Sequence, residues 1–172
     1  RLAEGGKLQA LGIMGQPRFD TRNWSSGDWL MPGTELLTTW IDLDEPDVAG
    51  NDLRFHGYEK GAAIIARGEG ICYADGLFAM TATIGGAERL GQVFTYRPSP
   101  AEGTPGENAD PGRFGLLAES NSKSVLRHAD NITISPWGDL IVCEDTADHC
   151  GLVGLRPDGQ QYMLADNAYT RS

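Results

Sequence analysis

The feature that most constrains the fold is an internal repeat in the second part of the chain. Glu69 and Asn131 lie 62 residues apart, and each stands seven residues before a glycine, Gly76 or Gly138. In both copies the glycine is followed by three apolar, β-type runs, of which the last ends in an acidic residue. These runs are 77–83, 91–96 and 114–119 in the first copy, and 140–145, 151–155 and 161–166 in the second. Together with the alternating residues before the glycine, each copy supplies four short antiparallel strands, the unit of a β-propeller blade.

The sequence therefore predicts an all-β fold, a single partial β-propeller domain over residues 1–172. Two full four-stranded blades span 61–122 and 123–172, and a partial blade with loops spans 1–60. The copies are longer than the roughly 40 to 50 residues of compact repeats, because a loop rich in proline and glycine runs from Ser99 to Gly112. A propeller ring needs about four blades or more, so either blades are missing from this chain or the sheets stack in another way. We expect the chain to be a fragment of a longer one.

Two further strand-like runs precede the repeat. Residues 7–14 and 36–43 are rich in apolar and β-branched side chains and predict strands. The stretch from 44 to 60 is polar and predicts irregular structure. The short apolar run 61–66 is compatible with either a helix or a strand.

The second copy opens with the signature of a β-hairpin. Residues 130–145 read DNITISPWGDLIVCED, two β-rich runs around a turn that contains Pro136 and Gly138. Because the strands of a hairpin are antiparallel, the start of the first and the end of the second lie at the same edge of the sheet. We expect the polar side chains at this edge to cluster: Asp130, Asn131, Glu144 and Asp145.

These side chains predict a metal site at the mouth of a propeller channel. The innermost strand of each blade lines the channel, and Glu69 and Asn131 hold equivalent positions at the starts of these strands. Calcium takes roughly six to eight oxygen ligands, to which Asp130, Glu144 and Asp145 would also contribute. Alternatively, Asp130 and Asn131 cap a turn. Glu144 and Asp145 then form a solvated strand end.

Arg67 stands two residues before Glu69, and alternate residues of a strand point to the same side. A guanidinium beside a carboxylate and metal cluster suits phosphate recognition, because it can bind two phosphate oxygens. The alternative is a salt bridge to a nearby acid. Cys143 precedes Glu144 and should face the other side of its strand, either as a buried thiol or as a metal thiolate. A disulfide between Cys143 and Cys150 also stays open.

The charge balance argues against two classes of partner. The chain has 172 residues and a formal net charge of −10, whereas nucleic acids and anionic membrane surfaces reward clustered lysine and arginine. No apolar run approaches the roughly 20 residues of a membrane span. Acidic clusters suit hard cations such as calcium.

Taken together, the motifs resemble those of the PhoX-type bacterial alkaline phosphatases and their uncharacterised relatives. The shared elements occur in order along nearly the whole chain. They are Trp40, Asp42, Pro46 and Asp47; Arg67, Glu69 and Gly70 with Asp75 and Gly76; Gly85 and Gly86; Gly91, Gln92 and Val93; the block from Asp130 to Asp145; and Leu152, Gly154, Leu155 and 157–159. The resemblance implies a six-bladed propeller longer than this chain, with these motifs in its C-terminal part.

The resemblance also implies an activity. Family members hydrolyse phosphate monoesters with calcium and iron held at the channel mouth, and they are typically exported to the periplasm or the extracellular space. By resemblance, Glu69 is a metal ligand and Arg67 anchors the substrate phosphate. The iron-binding cysteine of the family has a sequence context similar to that of Cys143 but lies in an earlier blade, so Cys143 is not assigned to iron.

The leading prediction is a metal-dependent phosphomonoester hydrolase, whose partners are a small phosphomonoester and either the missing blades or a partner chain. Two alternatives stay open. A calcium-dependent lactonase-type propeller also uses Asn and Glu oxygens at a channel mouth, but it needs no phosphate-binding arginine. A non-catalytic interaction protein would pack its β-units against a partner chain and would expose apolar edges.

Overall fold

The computed structural model describes residues 5–25, 27, 29–44, 46–47, 50, 52–147 and 150–167. Within these residues the fold is all-β, as predicted, with ten strands and one α-helix. The strands are β1 (Gln9–Ile13), β2 (Glu35–Asp42), β3 (Gly68–Ala74), β4 (Leu77–Ala82), β5 (Gln92–Arg97), β6 (Arg113–Glu119), β7 (Ala129–Ile134), β8 (Leu140–Glu144), β9 (Gly151–Leu155) and β10 (Gln161–Asp166). The helix, α1, is Leu53–Glu59.

Two four-stranded antiparallel meanders follow the internal repeat. Strands β3 to β6 pair in sequence order in one sheet, and β7 to β10 pair in sequence order in another. The first hairpin of each meander turns at a glycine with a left-handed backbone, Gly76 with φ 78° and Gly138 with φ 95°, a conformation that glycine adopts without steric cost. The two sheets agree with the predicted partial propeller blades.

The N-terminal strands extend the first blade. β1 and β2 form an antiparallel hairpin, and β2 pairs with β6, with Glu35 opposite Gly115. This sheet therefore has six strands. The strands predicted at 7–14 and 36–43 are present, and they continue the sheet beyond β6. The division of the chain into units at residues 60 and 122 stays a prediction.

Apolar side chains cover both faces of the first sheet. Between the two sheets, Val93 of β5 packs in one cluster with Ile132 of β7 and Val142 of β8. On the opposite face, Phe94 and Phe114 stack with their ring centroids 4.9 Å apart. Because apolar burial contributes about 25 cal/mol per Å², the first cluster holds one blade against the next.

The inner strands β3 and β7 approach each other most tightly at Gly70. A Cβ atom at this position would lie 2.6 Å from the carbonyl oxygen of Asp130 and 2.8 Å from the Cα of Asn131. Thr81 Oγ1 accepts a hydrogen bond from the N–H of Gly70 at 2.9 Å and donates to the carbonyl oxygen of Asp130. The two inner strands are therefore neighbours near their starts.

Two segments before the repeat have a secondary structure that the sequence did not predict. The polar stretch before the repeat, predicted to be irregular, contains α1, because packing of Gly57 near Ala10 favours a helix that local propensity alone does not indicate. Residues 61–66 form neither a helix nor a strand, and Ile64 makes an isolated β-bridge with Asp20. Among the described residues, no helix is long and apolar enough to cross a membrane.

The loop from Ser99 to Gly112 is fixed to the first blade by one acidic side chain. Glu102 accepts hydrogen bonds from the hydroxyl of Tyr96 at 2.8 Å and from the N–H of Ser99 at 2.8 Å. It also accepts one from the Nε1 of Trp40 at 3.0 Å. The insertion that lengthens the first repeat is thus anchored to strands β2 and β5.

Candidate functional site

The mouth is the end of the two blades at which β3 and β7 begin and β4 and β8 end. The residue before each inner strand, Arg67 in the first blade and His128 in the second, has a left-handed backbone, with φ of 54° and 51°. The carbonyl oxygen of Arg67 accepts a hydrogen bond from the N–H of Thr83 at 3.0 Å. The carbonyl oxygen of His128 accepts one from the N–H of Asp145 at 2.9 Å. The same backbone hydrogen bond therefore occurs in both blades, and Thr83 and Asp145 hold equivalent positions in it.

Arg67 joins the two blades through its guanidinium group. Its Nε donates to Oε1 of Glu69 at 3.2 Å in the first blade, and its Nη2 donates to Oδ2 of Asp145 at 3.5 Å in the second. The side chains of Arg67, Glu69 and Asp145 are 50%, 38% and 50% exposed. Exposed ion pairs contribute about 1 kcal/mol or less to stability, so stability alone gives little reason for this cluster. The geometry presents one cation and two carboxylates to solvent at the mouth.

Asp130 and Asn131 lie in an irregular part of strand β7. The pairing register between β7 and β8 shifts between Ala129 and Ile132. Oδ1 of Asn131 accepts a hydrogen bond from the N–H of Ile132 at 2.9 Å, and Asn131 is exposed. This bond to the next residue lies within β7 and is not the turn capping that the alternative interpretation predicts. The predicted metal-binding roles of Asp130 and Asn131 stay predictions.

Glu144 is a buried hydrogen-bond acceptor. Its residue is 6% exposed, and Oε1 accepts from the N–H of Arg127 at 2.8 Å while Oε2 accepts from the N–H of Gly151 at 3.0 Å. Both carboxylate oxygens thus fix backbone segments next to β7 and β9. The hydrogen bonds of Glu144 support a structural role, and its predicted role as a metal ligand stays a prediction.

The cysteines of the structure are thiols. Cys72, Cys143 and Cys150 are free, so the disulfide that the sequence left open is not formed. Burial and, to a smaller extent, the negative charge of Asp130 raise the pKa of the Cys143 thiol. A thiol with a raised pKa is less readily ionised than an ordinary cysteine.

The described part of the chain contains no group of three or more His, Cys, Asp or Glu side chains that could hold a metal ion. Of the predicted ligands, Glu69 and Asp145 meet at one guanidinium, whereas Glu144 is engaged by backbone donors. Two carboxylates are fewer than the roughly six to eight oxygens that calcium takes. The described residues alone therefore do not fit a complete calcium or iron site.

Two other groups at the mouth, His128 and Arg89, have no local pattern in the sequence that would identify them. His128 is the counterpart of Arg67 in the second blade, but it stands three residues before Asn131, whereas Arg67 stands two before Glu69, which hides the equivalence in the repeat. Arg89 lies in the loop between β4 and β5, with its guanidinium carbon 4.6 Å from the centroid of the Trp24 ring. No local pattern links Trp24 to Arg89, because the fold brings them together from distant parts of the sequence.

Comparison with known proteins connects this geometry to a family. A protein-family model described as Alkaline phosphatase PhoX matches residues 1–171 of the chain. The match spans the N-terminal hairpin, both blades and every residue of the mouth. No curated protein and no solved structure matches the chain significantly.

Proposed function

The chain belongs to the PhoX alkaline phosphatase family, and from this membership we propose that it is a phosphomonoester hydrolase whose site lies at the mouth. The observation that carries the proposal is the guanidinium of Arg67, held by Glu69 and Asp145 where the two inner strands begin. A lactonase-type site would need no such arginine, so its presence favours a phosphatase over that alternative.

Arg67 has the donors that a phosphate group needs. A guanidinium carries several N–H donors in a rigid fork, and the two carboxylates accept from only Nε and Nη2. The remaining N–H groups can bind phosphate oxygens by charge-assisted hydrogen bonds. In this proposal Glu69 and Asp145 orient the guanidinium. Arg67 then holds the phosphoryl group and stabilises the charge that develops on its oxygens.

The charge of this cluster argues for a further cation. Arg67, Glu69 and Asp145 include one more carboxylate than guanidinium, so a phosphate dianion would be repelled without added positive charge. PhoX family members are generally metal-dependent. We propose that calcium and iron supply this charge in the assembled protein, with most of their ligands coming from outside the described residues.

Metal content tests this part of the proposal. The purified wild-type protein should contain calcium and iron by elemental analysis, and Glu69→Gln should contain less, because a neutral amide binds a cation more weakly than a carboxylate does. Asp44→Asn changes an exposed acid that pairs with Lys60 away from the mouth and is the control. Equal metal contents in the wild-type protein and Glu69→Gln would contradict the assignment of Glu69.

Hydrolysis of 4-nitrophenyl phosphate tests the activity. Arg67→Met should lower kcat/KM by roughly tenfold or more, because a hydrogen bond to a charged group contributes about 1.5 to 3 kcal/mol. Arg54→Met removes an exposed arginine from α1 and should leave kcat/KM unchanged. The proposal fails if the wild-type protein hydrolyses no phosphate monoester, or if Arg67→Met is as active as the wild-type protein.

The family also suggests a location. PhoX family members are typically periplasmic or secreted, and we propose the same for this protein. Recovery of the protein from only the cytosolic fraction of its source cells would contradict this proposal.

A further inference from the structure

We propose that Arg89, held over Trp24, is a second anion-binding group at the mouth, which selects phosphate monoesters whose alcohol portion carries another anionic group. This inference rests on the proposed function, because it names the class of substrate that the same mouth would favour. It assigns a role to the loop between β4 and β5 and to Trp24. Neither of these takes part in the phosphate contact of Arg67.

The loop between β4 and β5 is fixed at the same end of the blades as Arg67. The N–H of Thr83 donates to the carbonyl oxygen of Arg67 at 3.0 Å where the loop begins. Near its end, the carbonyl oxygen of Leu90 accepts a hydrogen bond from the N–H of His128 at 2.6 Å. His128 is bonded in turn to Asp145, whose carboxylate contacts Arg67. Hydrogen bonds therefore connect the loop to the Arg67 cluster from both of its ends.

Trp24 is a fixed platform beneath the side chain of Arg89. Its Nε1 donates to the carbonyl oxygen of Ile84 at 3.0 Å, and the N–H of Gly86 donates to the carbonyl oxygen of Arg22 at 2.9 Å. These two bonds join the segment around Trp24 to the loop. The guanidinium carbon of Arg89 lies 4.6 Å from the centroid of the Trp24 ring, a distance at which a cation and an aromatic ring attract each other.

Among the described residues, no ion pair neutralises the charge of Arg89, in contrast to Arg22, the other arginine on the same ring. Arg22 lies 4.4 Å from the Trp24 centroid, but Asp20 neutralises it through two hydrogen bonds, at 2.8 and 2.7 Å. Within the described residues, no acidic side chain comes within 4.0 Å of the guanidinium nitrogens of Arg89.

Two carboxylates that contact this loop accept hydrogen bonds from other groups: Glu88 of the loop itself and Glu119 at the end of β6. Glu88 Oε2 accepts from the N–H of Ser122 at 2.8 Å. Glu119 Oε1 accepts from the N–H of Ala87 at 3.0 Å. The guanidinium of Arg89 is therefore available to an anion that arrives from solvent.

A guanidinium that lies over an aromatic ring keeps its N–H donors free to form a paired contact with a carboxylate or a phosphate. Arg67 holds the ester phosphate in the proposed function. Arg89 would then contact a second anionic group on the alcohol side of the same molecule. A substrate without this group would lose one charge-assisted contact but would keep the contact with Arg67.

A matched pair of non-hydrolysable ligands separates the two contacts. Titration calorimetry with benzylphosphonate and 4-carboxybenzylphosphonate measures the affinity with and without the second anion on one scaffold. The wild-type protein should bind the carboxylated ligand roughly tenfold more tightly, as expected for one additional charge-assisted hydrogen bond. Arg89→Gln should remove this advantage and leave the affinity for benzylphosphonate unchanged.

Arg54→Gln is the control for a general loss of positive charge. Arg54 also lies over an aromatic ring, 4.7 Å from the centroid of Phe55, but on α1. It should keep the full advantage of the carboxylated ligand. Trp24→Leu, which removes the platform but keeps the charge of Arg89, should reduce the advantage.

The outcomes distinguish this inference from the proposed function. Equal affinities of the wild-type protein for the two ligands, or an unchanged advantage in Arg89→Gln, would overturn the role of Arg89. If Arg67→Met bound benzylphosphonate as tightly as the wild-type protein does, the phosphate contact of Arg67 would fail. Even if the contact of Arg67 failed, loss of the tighter binding of 4-carboxybenzylphosphonate in Arg89→Gln, but not in Arg67→Met, would still support the second anion contact. Failure of the wild-type protein to bind either ligand would overturn both.

Discussion

At the scale of single residues, the mouth depends on two residues with side chains in a backbone conformation that glycine usually adopts. Arg67 and His128 have φ of 54° and 51°, which costs about 1 kcal/mol or more for a residue that carries a Cβ atom. The hydrogen bonds that their carbonyl oxygens accept from Thr83 and Asp145 hold this conformation. It brings the guanidinium of Arg67 within hydrogen-bonding distance of carboxylates from both blades.

Glu144 and Asp145 differ in role although they are adjacent, which leads to a prediction about stability. Glu144→Gln should lower the free energy of unfolding by about 1 to 3 kcal/mol, because its amide group would place a donor against the N–H of Arg127 or Gly151. Asp145→Asn should change the free energy of unfolding by about 1 kcal/mol or less, because its ion pair is exposed. Urea unfolding of the two variants checks this, and equal losses of stability would contradict it.

The contacts around Arg67 and the two adjacent acids show which parts of the site could be predicted from the sequence and which could not. The sequence places Arg67 two residues before Glu69, and the structure has a hydrogen bond between them at 3.2 Å. Strand alternation does not explain this bond, because Arg67 precedes β3 and has a left-handed backbone. In the structure Glu144 is buried whereas the adjacent Asp145 is exposed. The bond from Arg67 to Asp145 could not be predicted, because it depends on how one blade packs on the next.

At the scale of elements, the close approach of β3 and β7 sets the distance between the two halves of the mouth. Gly70→Ala should lower the free energy of unfolding by about 1 to 3 kcal/mol, because the new Cβ atom would lie 2.6 Å from the backbone oxygen of Asp130. Gly68→Ala is the control, since a Cβ atom there would meet only the carbonyl oxygen of Thr81, at 4.0 Å. Urea unfolding measures both variants. Similar stabilities for Gly70→Ala and Gly68→Ala would show that this approach is not a constraint.

The anchor of the loop from Ser99 to Gly112 predicts a loss of stability in alkali. Burial and the hydrogen bond to Glu102 raise the pKa of Tyr96 to about 12, whereas tyrosine in an unfolded chain has a pKa of about 10. A raised pKa in the folded state means that the contribution of Tyr96 is complete below about pH 10 and is lost as the pH rises towards 12. The free energy of unfolding should fall more steeply over this interval in the wild-type protein than in Tyr96→Phe. Parallel pH profiles would contradict the assignment.

The blade strands were predictable because apolar alternation and turn residues are local sequence signals, and the same signals occur in both copies of the repeat. The pairing of β2 with β6 was not, because it joins segments far apart in the sequence and has no local signature. Helix α1 was missed for a similar reason, since its polar sequence contains Gly57, and contacts from other segments stabilise it.

At the scale of the whole molecule, the proposed phosphatase site lies at the junction of two blades. The apolar cluster between the sheets holds the blades together, and the single guanidinium of Arg67 spans their ends. In the proposed function, Arg67 would supply the phosphate contact and Glu69 and Asp145 the two carboxylates, whereas a complete calcium site needs more ligands than these. The family assignment over residues 1–171 relates the chain to the PhoX alkaline phosphatases, and it is the basis of the proposed function.

Titration calorimetry of inorganic phosphate into the wild-type protein, Arg67→Met and Arg54→Met tests the phosphate contact most directly. We predict that Arg67→Met binds phosphate roughly tenfold or more weakly than the wild-type protein, as expected for the loss of a charge-assisted contact. Arg54→Met should retain the affinity of the wild-type protein. Equal phosphate affinities for the wild-type protein and Arg67→Met would mean that Arg67 only links the two blades, and the proposed site would be wrong.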